Sequence, residues 1–376
     1  MEKTKKNTRN IEKVKRKKKL NKKRIMAVAG GVALVCAVTF GFKLLKNVVG
    51  GDAGLTDTYK LEFYTNDKYV SNDKFIVYTQ NDQIKGVNKK GKEKFAITDA
   101  KDVLGVKISS KYFAYYTENE YKVFDMNGRP MTSFESKDKI SDLRITNENV
   151  IFVKTDETGV SKLVVHDMKT SEVYSMDVDA DTVGDFGIIS SSETLWVLNI
   201  DKSISTPLCT FSSYGLKKNS TYNVINIPNQ MVDKLYVTNN NIYAVGTSDV
   251  AVYDVSGVKE TTDMVYGWKL ADVKFEANKP TFVFVPRGEE TFSNVRVKHS
   301  SGEEYTFALQ EPCFESIISD KYIYSFSNNN AFYSDLKGEN TKKVELSSKI
   351  IDAKSVLDGD SVIVDDGKCY TLLSLE

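Results

Sequence analysis

The sequence lacks the residue patterns that usually identify an enzyme or a metal protein. Its 376 residues contain no His-Glu-x-x-His, Gly-x-Ser-x-Gly, P-loop or Gly-x-Gly-x-x-Gly motif. Zinc sites, nucleophile elbows and nucleotide-binding loops need those spacings, because each spacing places several ligands or donors around one group. We therefore expect no catalytic residues, no metal site and no cofactor, and we interpret the protein as non-enzymatic.

Cysteine and histidine are too scarce to build a disulfide framework or a metal centre. Beyond residue 45 only Cys209, Cys313 and Cys369 remain, and they are far apart and odd in number. Disulfide scaffolds use an even set of cysteines, and metal sites use closely spaced pairs. We expect three buried thiols, with one bridge between two of them as the alternative. The two histidines, His166 and His299, each follow a strand-like run and are expected to be structural or exposed.

One acidic segment has the start of a calcium-binding pattern. Asp177, Asp179 and Asp181 alternate as the first ligands of an EF-hand loop do, and Asp185 follows them. Such a loop also needs Gly at position 6 and Glu at position 12, where this chain has Thr and Ile. The segment is therefore interpreted as an acidic turn. A second acidic cluster is interpreted in the same way, and it consists of Asp358, Asp360, Asp365 and Asp366.

Long apolar runs are also missing, apart from one at residues 25–42. This run, IMAVAGGVALVCAVTFGF, has no charged residue. At about 1.5 Å per residue it spans about 27 Å, close to the roughly 30 Å core of a bilayer. Because a lysine at a helix end can reach the headgroups, Lys43 does not end the span. We predict a transmembrane helix at residues 25–45. A cleaved signal peptide is the alternative, but the chain after Phe42 is a poor match to a cleavage site.

The charge distribution predicts how this helix is oriented. Residues 1–24 carry a net charge of +11, whereas the rest of the chain carries −10. Positively charged flanks stay in the cytoplasm, so residues 1–24 form a cytoplasmic tail, 46–58 a short stalk and 59–376 an extracytoplasmic domain. The tail is expected to contact anionic lipid headgroups. The acidic domain argues against a nucleic-acid partner.

Residues 59–376 consist of short β-type runs that repeat along the chain. Each repeat has a polar turn, two runs of aromatic and β-branched residues, a glycine turn and a last run. The second copy contains Asn127-Gly128, a dipeptide favoured in tight hairpins where both residues have positive φ. Four strands in about 40 residues is the period of a β-propeller blade. The copies begin near Asn72, Ser109, Asn147, Glu193, Asn239, Lys279, Ser319 and Asp358.

The last copy lacks a fourth strand, while the strand-like run at 59–64 has no repeat of its own. We predict that this run completes the last blade, because closing the ring removes two exposed sheet edges. The predicted fold is an all-β propeller of eight four-stranded blades, preceded by one N-terminal transmembrane helix. Seven blades are the alternative, if the irregular fourth copy does not form a blade.

These aromatic strands, with Asp-x-x-Gly turns at 125–128 and 335–338, resemble those of quinoprotein-like and WD-repeat-like propellers. The order of basic tail, single anchor and propeller is similar to that of membrane-anchored propeller proteins from low-GC Gram-positive bacteria. The resemblance implies a fold and a location at the cell membrane. It transfers no catalytic residues, and the adjacent cysteine pair expected beneath a bound quinone is missing.

This organisation favours a scaffold that binds other proteins of the bacterial cell envelope. Two alternatives remain. In the first, the propeller is a sensor for a ligand or a cell-wall glycan. In the second, it is an enzyme that uses its central channel.

The predicted membrane helix has one face of small residues. Ala29, Ala33, Ala37 and Gly41 recur every four residues. Small residues allow two membrane helices to approach closely, so we hypothesise a dimer, or pairing with another membrane helix, through this face. The alternative is that alanine and glycine are simply common in such helices.

Replacing both Ala33→Ile and Ala37→Ile should weaken this association, because larger side chains keep the two helix backbones apart. A membrane two-hybrid assay measures the association directly. Unchanged association of the double variant would rule out this face as the contact.

Overall fold

Eight antiparallel sheets of four strands make up the part of the chain that the structure describes. The structure is a computed structural model, and it describes residues 55–64, 67–189, 192–201, 203, 208–216, 220–227, 231–319, 321–346, 348–357 and 361–375. The predicted helix at 25–45, the basic tail and the small residues Ala29, Ala33, Ala37 and Gly41 lie outside these ranges. Within them, no helix has the length and apolar character needed to span a bilayer.

Each of the first seven sheets is formed by four strands that follow one another along the chain. Blade 1 comprises β2 (Tyr69–Ser71), β3 (Phe75–Gln80), β4 (Gln83–Asn88) and β5 (Glu93–Ile97). Blade 2 comprises β6 (Gly105–Ile108), β7 (Tyr112–Tyr116), β8 (Glu120–Asp125) and β9 (Pro130–Glu135). Blade 3 comprises β10 (Lys139–Ile145), β11 (Asn149–Thr155), β12 (Ser161–Asp167) and β13 (Val173–Val178). Blade 4 comprises β14 (Val183–Ile189), β15 (Thr194–Asp201), β16 (Leu208–Gly215) and β17 (Ser220–Ile227).

The remaining blades continue the pattern. Blade 5 comprises β18 (Val232–Val237), β19 (Asn241–Gly246), β20 (Asp249–Asp254) and β21 (Lys259–Met264). Blade 6 comprises β22 (Trp268–Glu276), β23 (Lys279–Pro286), β24 (Phe292–His299) and β25 (Glu304–Cys313). Blade 7 comprises β26 (Glu315–Ile318), β27 (Tyr322–Phe326), β28 (Asn330–Asp335) and β29 (Lys342–Glu345). Blade 8 comprises β30 (Asp352–Leu357), β31 (Ser361–Asp365), β32 (Cys369–Leu375) and β1 (Leu55–Tyr64).

The prediction of eight blades is confirmed, and the alternative of seven is wrong. The irregular fourth copy forms its own sheet, in the order β14-β15-β16-β17. First strands of consecutive blades lie side by side, as β6 does with β10 and β26 does with β30. The first strands therefore surround the central channel, and the last strand of each blade lies at the outer rim.

The core lies between the blades. Middle strands such as β11 and β31 are buried on both faces, because a neighbouring blade covers each face. Between blades 1 and 2, the ring of Phe95 stacks on that of Phe113 with centroids 4.8 Å apart. The same arrangement recurs around the ring, so no blade has a core of its own.

Strand β1 closes the ring. It pairs antiparallel with β32, and Tyr59 lies opposite Leu372. β1 contains the run at 59–64, and its first residue, Leu55, lies inside the predicted stalk at 46–58. Phe63 is fully buried, with its ring centroid 4.4 Å from that of Tyr78 in blade 1. The strand thus completes the sheet of blade 8 and the core that this blade shares with blade 1.

The hairpin at Asp125–Gly128 differs from the predicted tight turn. Only Gly128 has positive φ, at +77°, so the expectation of positive φ at Asn127 is wrong. The Gly128 N–H donates to the Asp125 carbonyl at 3.0 Å, and the Asp125 carboxylate accepts from the backbone of Asn127 at 2.8 Å and of Arg129 at 2.9 Å. The turn is therefore a type I turn followed by one left-handed glycine, because the aspartate satisfies the backbone donors.

Glycine at this position also lets the blades pack. A Cβ on Gly128 would lie 2.8 Å from Phe95 of blade 1, and one on Gly338 would lie 2.2 Å from Phe307 of blade 6. The glycine turn of each of these two blades therefore rests on the last strand of the preceding blade.

Phe63→Ala should lower the free energy of unfolding by about 3–5 kcal/mol, because it leaves a cavity in the core that closes the ring. Tyr64→Ala is the matched control. Its side chain is 62% exposed, so a change within about 0.5 kcal/mol is expected. Deleting residues 59–64 should cost more than Phe63→Ala and lower the melting temperature sharply. An unchanged melting temperature of the deletion variant would contradict closure by this strand.

Candidate functional site: the central channel and the rim

A cavity of about 670 Å³ opens where the first strands of blades 8, 1, 2 and 3 meet. Three of its lining side chains are cationic, two carry hydroxyl groups and three are aliphatic. None of them carries a carboxylate. The lining residues are Lys107, Arg144, Lys354, Tyr69, Ser71, Val70, Ile108 and Ile145. We call this space the channel-mouth cavity.

Five carboxylates occupy equivalent places on the first strands. Each accepts a hydrogen bond from the backbone N–H of the residue that follows it, at 2.8 Å for the four aspartates and 3.3 Å for the glutamate. They are Asp142, Asp185, Asp272, Glu315 and Asp352, and we call them the channel carboxylates.

The cations of the cavity pair with these carboxylates. Lys107 Nζ lies 3.0 Å from Asp142 Oδ1, and Arg144 Nη2 lies 2.6 Å from Asp185 Oδ1. Both pairs join neighbouring blades, whereas Lys354 Nζ lies 2.7 Å from Asp352 Oδ2 within blade 8. These contacts tie the first strands together around the channel.

The channel-lining residues were not predicted, although the sequence contains a signal for them. An acid is followed two residues later by a base at 142–144, 272–274 and 352–354, each time in the first strand of a repeat. Because side chains alternate along a strand, residues two apart lie on the same face. Recurrence at one position of a propeller repeat therefore indicates a charged layer in the channel.

Burial makes ionisation of three channel carboxylates unfavourable. It raises the pKa of Glu315 to about 7, although the N–H of Ser316 opposes the shift. Burial also raises the pKa of Asp185 against the attraction of Arg144. The pKa of Asp272 is likewise raised by burial, although its carboxylate accepts a hydrogen bond from the N–H of Ile318 at 3.0 Å.

Two donors beside the cavity have no partner within the part of the chain that the structure describes. They are the hydroxyl of Tyr69 and the Nε–H of Arg144, and both atoms are buried. Burial and the negative charge around it raise the pKa of Tyr69, so its hydroxyl stays protonated. The guanidinium of Arg144 lies over the ring of Phe186 at 5.1 Å, which fixes its orientation.

The suspected calcium ligands do not converge. Asp177 lies on β13 next to Lys162, Asp179 and Asp181 form the turn before β14, and Asp185 pairs with Arg144. In the second cluster, Asp365 and Asp366 accept backbone hydrogen bonds within a turn, while Asp358 and Asp360 lie outside the described residues. Among the described residues, no three acidic, histidine or cysteine side chains are placed to hold a metal ion.

The histidines and cysteines have structural surroundings. His166 is buried and bonds through Nδ1 to the hydroxyl of Tyr121, and burial lowers the pKa of His166. The imidazole of His299 bonds through Nδ1 to Thr281 Oγ1 at 2.9 Å. The prediction of buried thiols is confirmed, since Cys209, Cys313 and Cys369 are all buried and free. Burial raises the pKa of Cys313 to about 12, which makes this thiol a poor nucleophile.

Exposed apolar side chains lie on the last strand of blade 4 and in the glycine turn of blade 5. Tyr222 and Val224 on β17 are 52% and 56% exposed, and Val255 and Val258 beside the next blade's glycine turn are 44% and 62% exposed. Asn223 joins the two parts by donating to the Val255 carbonyl at 3.3 Å. We call Tyr222, Val224, Val255 and Val258 the apolar rim patch.

Strand β17 is the only one of the eight described last strands without a charged residue or proline. Its sequence is STYNVINI. The others read LTDTYKLEFY, EKFAI, PMTSFE, VYSMDV, KETTDM, EYTFALQEPC and KKVE. Charges and proline on an edge strand prevent unwanted strand pairing. The edge of blade 4 therefore lacks the protection that the other edges have.

Comparison with known proteins supports the fold and shows nothing more specific. No protein-family model matches the chain, and no curated protein sequence does. The structure is similar to BamB from Moraxella catarrhalis (TM-score 0.56, 9% identity, 86% of this chain and 97% of that one). It is also similar to the WD40 domain of SCAP from fission yeast (TM-score 0.56, 10% identity, 85% of this chain and 98% of that one). A third similar structure is Sqt1 from Saccharomyces cerevisiae (TM-score 0.54, 10% identity, 85% of this chain and 100% of that one). At such identities the likeness concerns the β-propeller fold alone.

The raised pKa of Glu315 predicts a pH-dependent stability. The folded protein holds this proton more tightly than the unfolded chain does. The contribution of this proton to the free energy of unfolding is therefore complete below the usual pKa of 4.5 and is lost as the pH rises to about 7. Relative to the Glu315→Gln variant, the free energy of unfolding of the wild type should fall by up to about 3 kcal/mol over this interval. Urea unfolding at both ends of the interval measures the difference.

The matched control is Glu118→Gln, an exposed residue that pairs with Lys139. This variant should keep the wild-type pH dependence. An equal pH dependence in the wild type and in Glu315→Gln would contradict the assignment to Glu315.

Proposed function

We propose that this protein is a membrane-anchored, extracytoplasmic β-propeller that binds another protein of the bacterial cell envelope and catalyses no reaction. The uncharged run at 25–42 and the basic tail before it support the anchor and its orientation. The propeller supplies a rigid ring that holds a binding surface near the membrane. Its contact with the partner is the apolar rim patch.

The observation that carries this proposal is the uncharged, apolar edge of blade 4. One side of β17 pairs with β16, and its other side has no strand neighbour among the described residues. Unprotected edge strands pair readily with other chains, so proteins usually guard them with charge. Val258, which follows the turn glycine of blade 5, is also apolar. The residues that follow the turn glycines of blades 2 and 7 are charged, and they are Arg129 and Glu339. A surface of this kind is suited to a partner that covers it.

The geometry favours a partner that adds an extended strand to β17. The free N–H and C=O groups of an edge strand supply affinity, and the alternating side chains supply specificity. Val224 and Asn226 lie on the exposed face, while Ile225 and Ile227 point into the core that blades 4 and 5 share. An irregularity in the pairing with β16 interrupts the alternation at Tyr222. The complementary strand is therefore expected to carry apolar residues at alternate positions and no like-charged run.

In-cell crosslinking of the tagged full-length protein, followed by affinity purification and mass spectrometry, tests this function. The wild type should capture a small, reproducible set of envelope proteins. Val224→Lys combined with Val258→Lys should remove that set, because each lysine would have to be desolvated in the contact.

The control variant combines Met131→Lys with Val160→Lys, two exposed apolar residues of blades 2 and 3. It adds the same charge away from the patch and should leave the crosslinks intact. Crosslinks to bulk membrane proteins only would overturn the scaffold function. A specific set that survives Val224→Lys with Val258→Lys would instead overturn the rim patch as the contact.

A further inference from the structure

We propose that the channel-mouth cavity binds a small organic anion through its carboxylate or phosphate group. This activity goes beyond binding of a protein partner at the rim, and it rests on different residues. The cavity lies at the first strands, whereas the apolar rim patch lies at the last strand of blade 4.

The composition of the cavity wall selects an anion. Lys107, Arg144 and Lys354 provide three cations, and Tyr69 and Ser71 provide two hydroxyl groups. The channel carboxylates that pair with these cations are not part of the wall. A ligand in the cavity therefore meets ammonium and guanidinium donors, which are the groups that bind oxyanions most strongly.

Two donors of wall residues have no hydrogen-bond partner among the described residues. A buried N–H or O–H without a hydrogen bond is costly, and such groups in folded proteins usually have a water or ion as their partner. The Tyr69 hydroxyl and the Arg144 Nε–H both belong to residues of the cavity wall. Each donor atom has less than 1 Å² of accessible surface, so an oxyanion in the cavity reaches it only when a side chain of the wall shifts.

The ion pairs hold the three cations in place and leave some of their N–H groups available for a ligand. Arg144 uses Nη2 for Asp185 and keeps other donors, because a guanidinium has five N–H groups. Lys107 and Lys354 each hold one carboxylate and have further ammonium protons. The carboxylates lower the local positive potential, but they also fix the cations in place. Less side-chain entropy is then lost when a ligand binds.

The size of the cavity indicates a small molecule. Pockets for small ligands usually have volumes of about 300–1,000 Å³, and 670 Å³ falls within this range. Val70, Ile108 and Ile145 add an aliphatic part to the wall. The expected ligand has one or more oxyanion groups on a short carbon body.

Isothermal titration calorimetry of the full-length protein with two probes tests this proposal. Citrate represents carboxylates and glycerol 3-phosphate represents phosphates, and sodium chloride at matched ionic strength serves as the blank. Heat from citrate alone supports a carboxylate ligand, heat from glycerol 3-phosphate alone supports a phosphate ligand, and heat from both supports an oxyanion site. The absence of heat with both probes at about 10 mM would overturn the proposal.

Two variants locate the binding. Tyr69→Phe removes a donor that has no partner among the described residues, so it should raise the Kd roughly tenfold without unfolding the protein. Lys354→Gln removes a cation that is half exposed and should also raise the Kd. The controls are Tyr266→Phe, whose ring is 82% exposed, and Lys162→Gln, which pairs with Asp177 outside the cavity. A Kd of Tyr69→Phe equal to the wild-type value would overturn the assignment to this cavity.

Discussion

The packing of blade against blade is the constraint on which the whole propeller depends. Middle strands such as β11 and β31 are buried on both faces, so a blade is stable only between two neighbours. The ring must therefore close, and β1 closes it by pairing with β32 and placing Phe63 against Tyr78 of blade 1. Closure joins residues that lie about three hundred positions apart in the sequence. It also leaves no blade with an uncovered face.

Closure has a direct consequence for the first strands. They meet around one axis, and the charged side chains that they carry become neighbours there. Charges in such a place are stable only when they are paired or neutralised. Arg144 and Asp185 are paired across two blades, whereas the raised pKa of Glu315 favours its neutral form. The pairs hold cations at one mouth of the channel, where the wall carries no carboxylate.

The last strands lie at the outer rim, where all of them face solvent. Seven of the eight described last strands carry charge, as edge strands usually do. Strand β17 departs from this rule, and the turn of blade 5 that Asn223 contacts adds the exposed side chains of Val255 and Val258. The propeller thus offers a polar cavity at its axis and an apolar edge at its rim. A rigid ring separates the two, so each can be altered without changing the other.

The sequence by itself determined the repeat, the eight blades and the run at 59–64 that became part of β1. These features depend on the alternation of side chains and on turn residues, which act over a few positions of the chain. The tertiary structure decided which residues form the candidate sites. Tyr69, Lys107, Arg144 and Lys354 come from four blades and meet only because the ring closes. The φ of Asn127 was likewise decided by hydrogen bonds to Asp125, which dipeptide preference does not include. Local pattern specifies the strands, whereas a site that draws residues from several blades depends on how the blades are arranged.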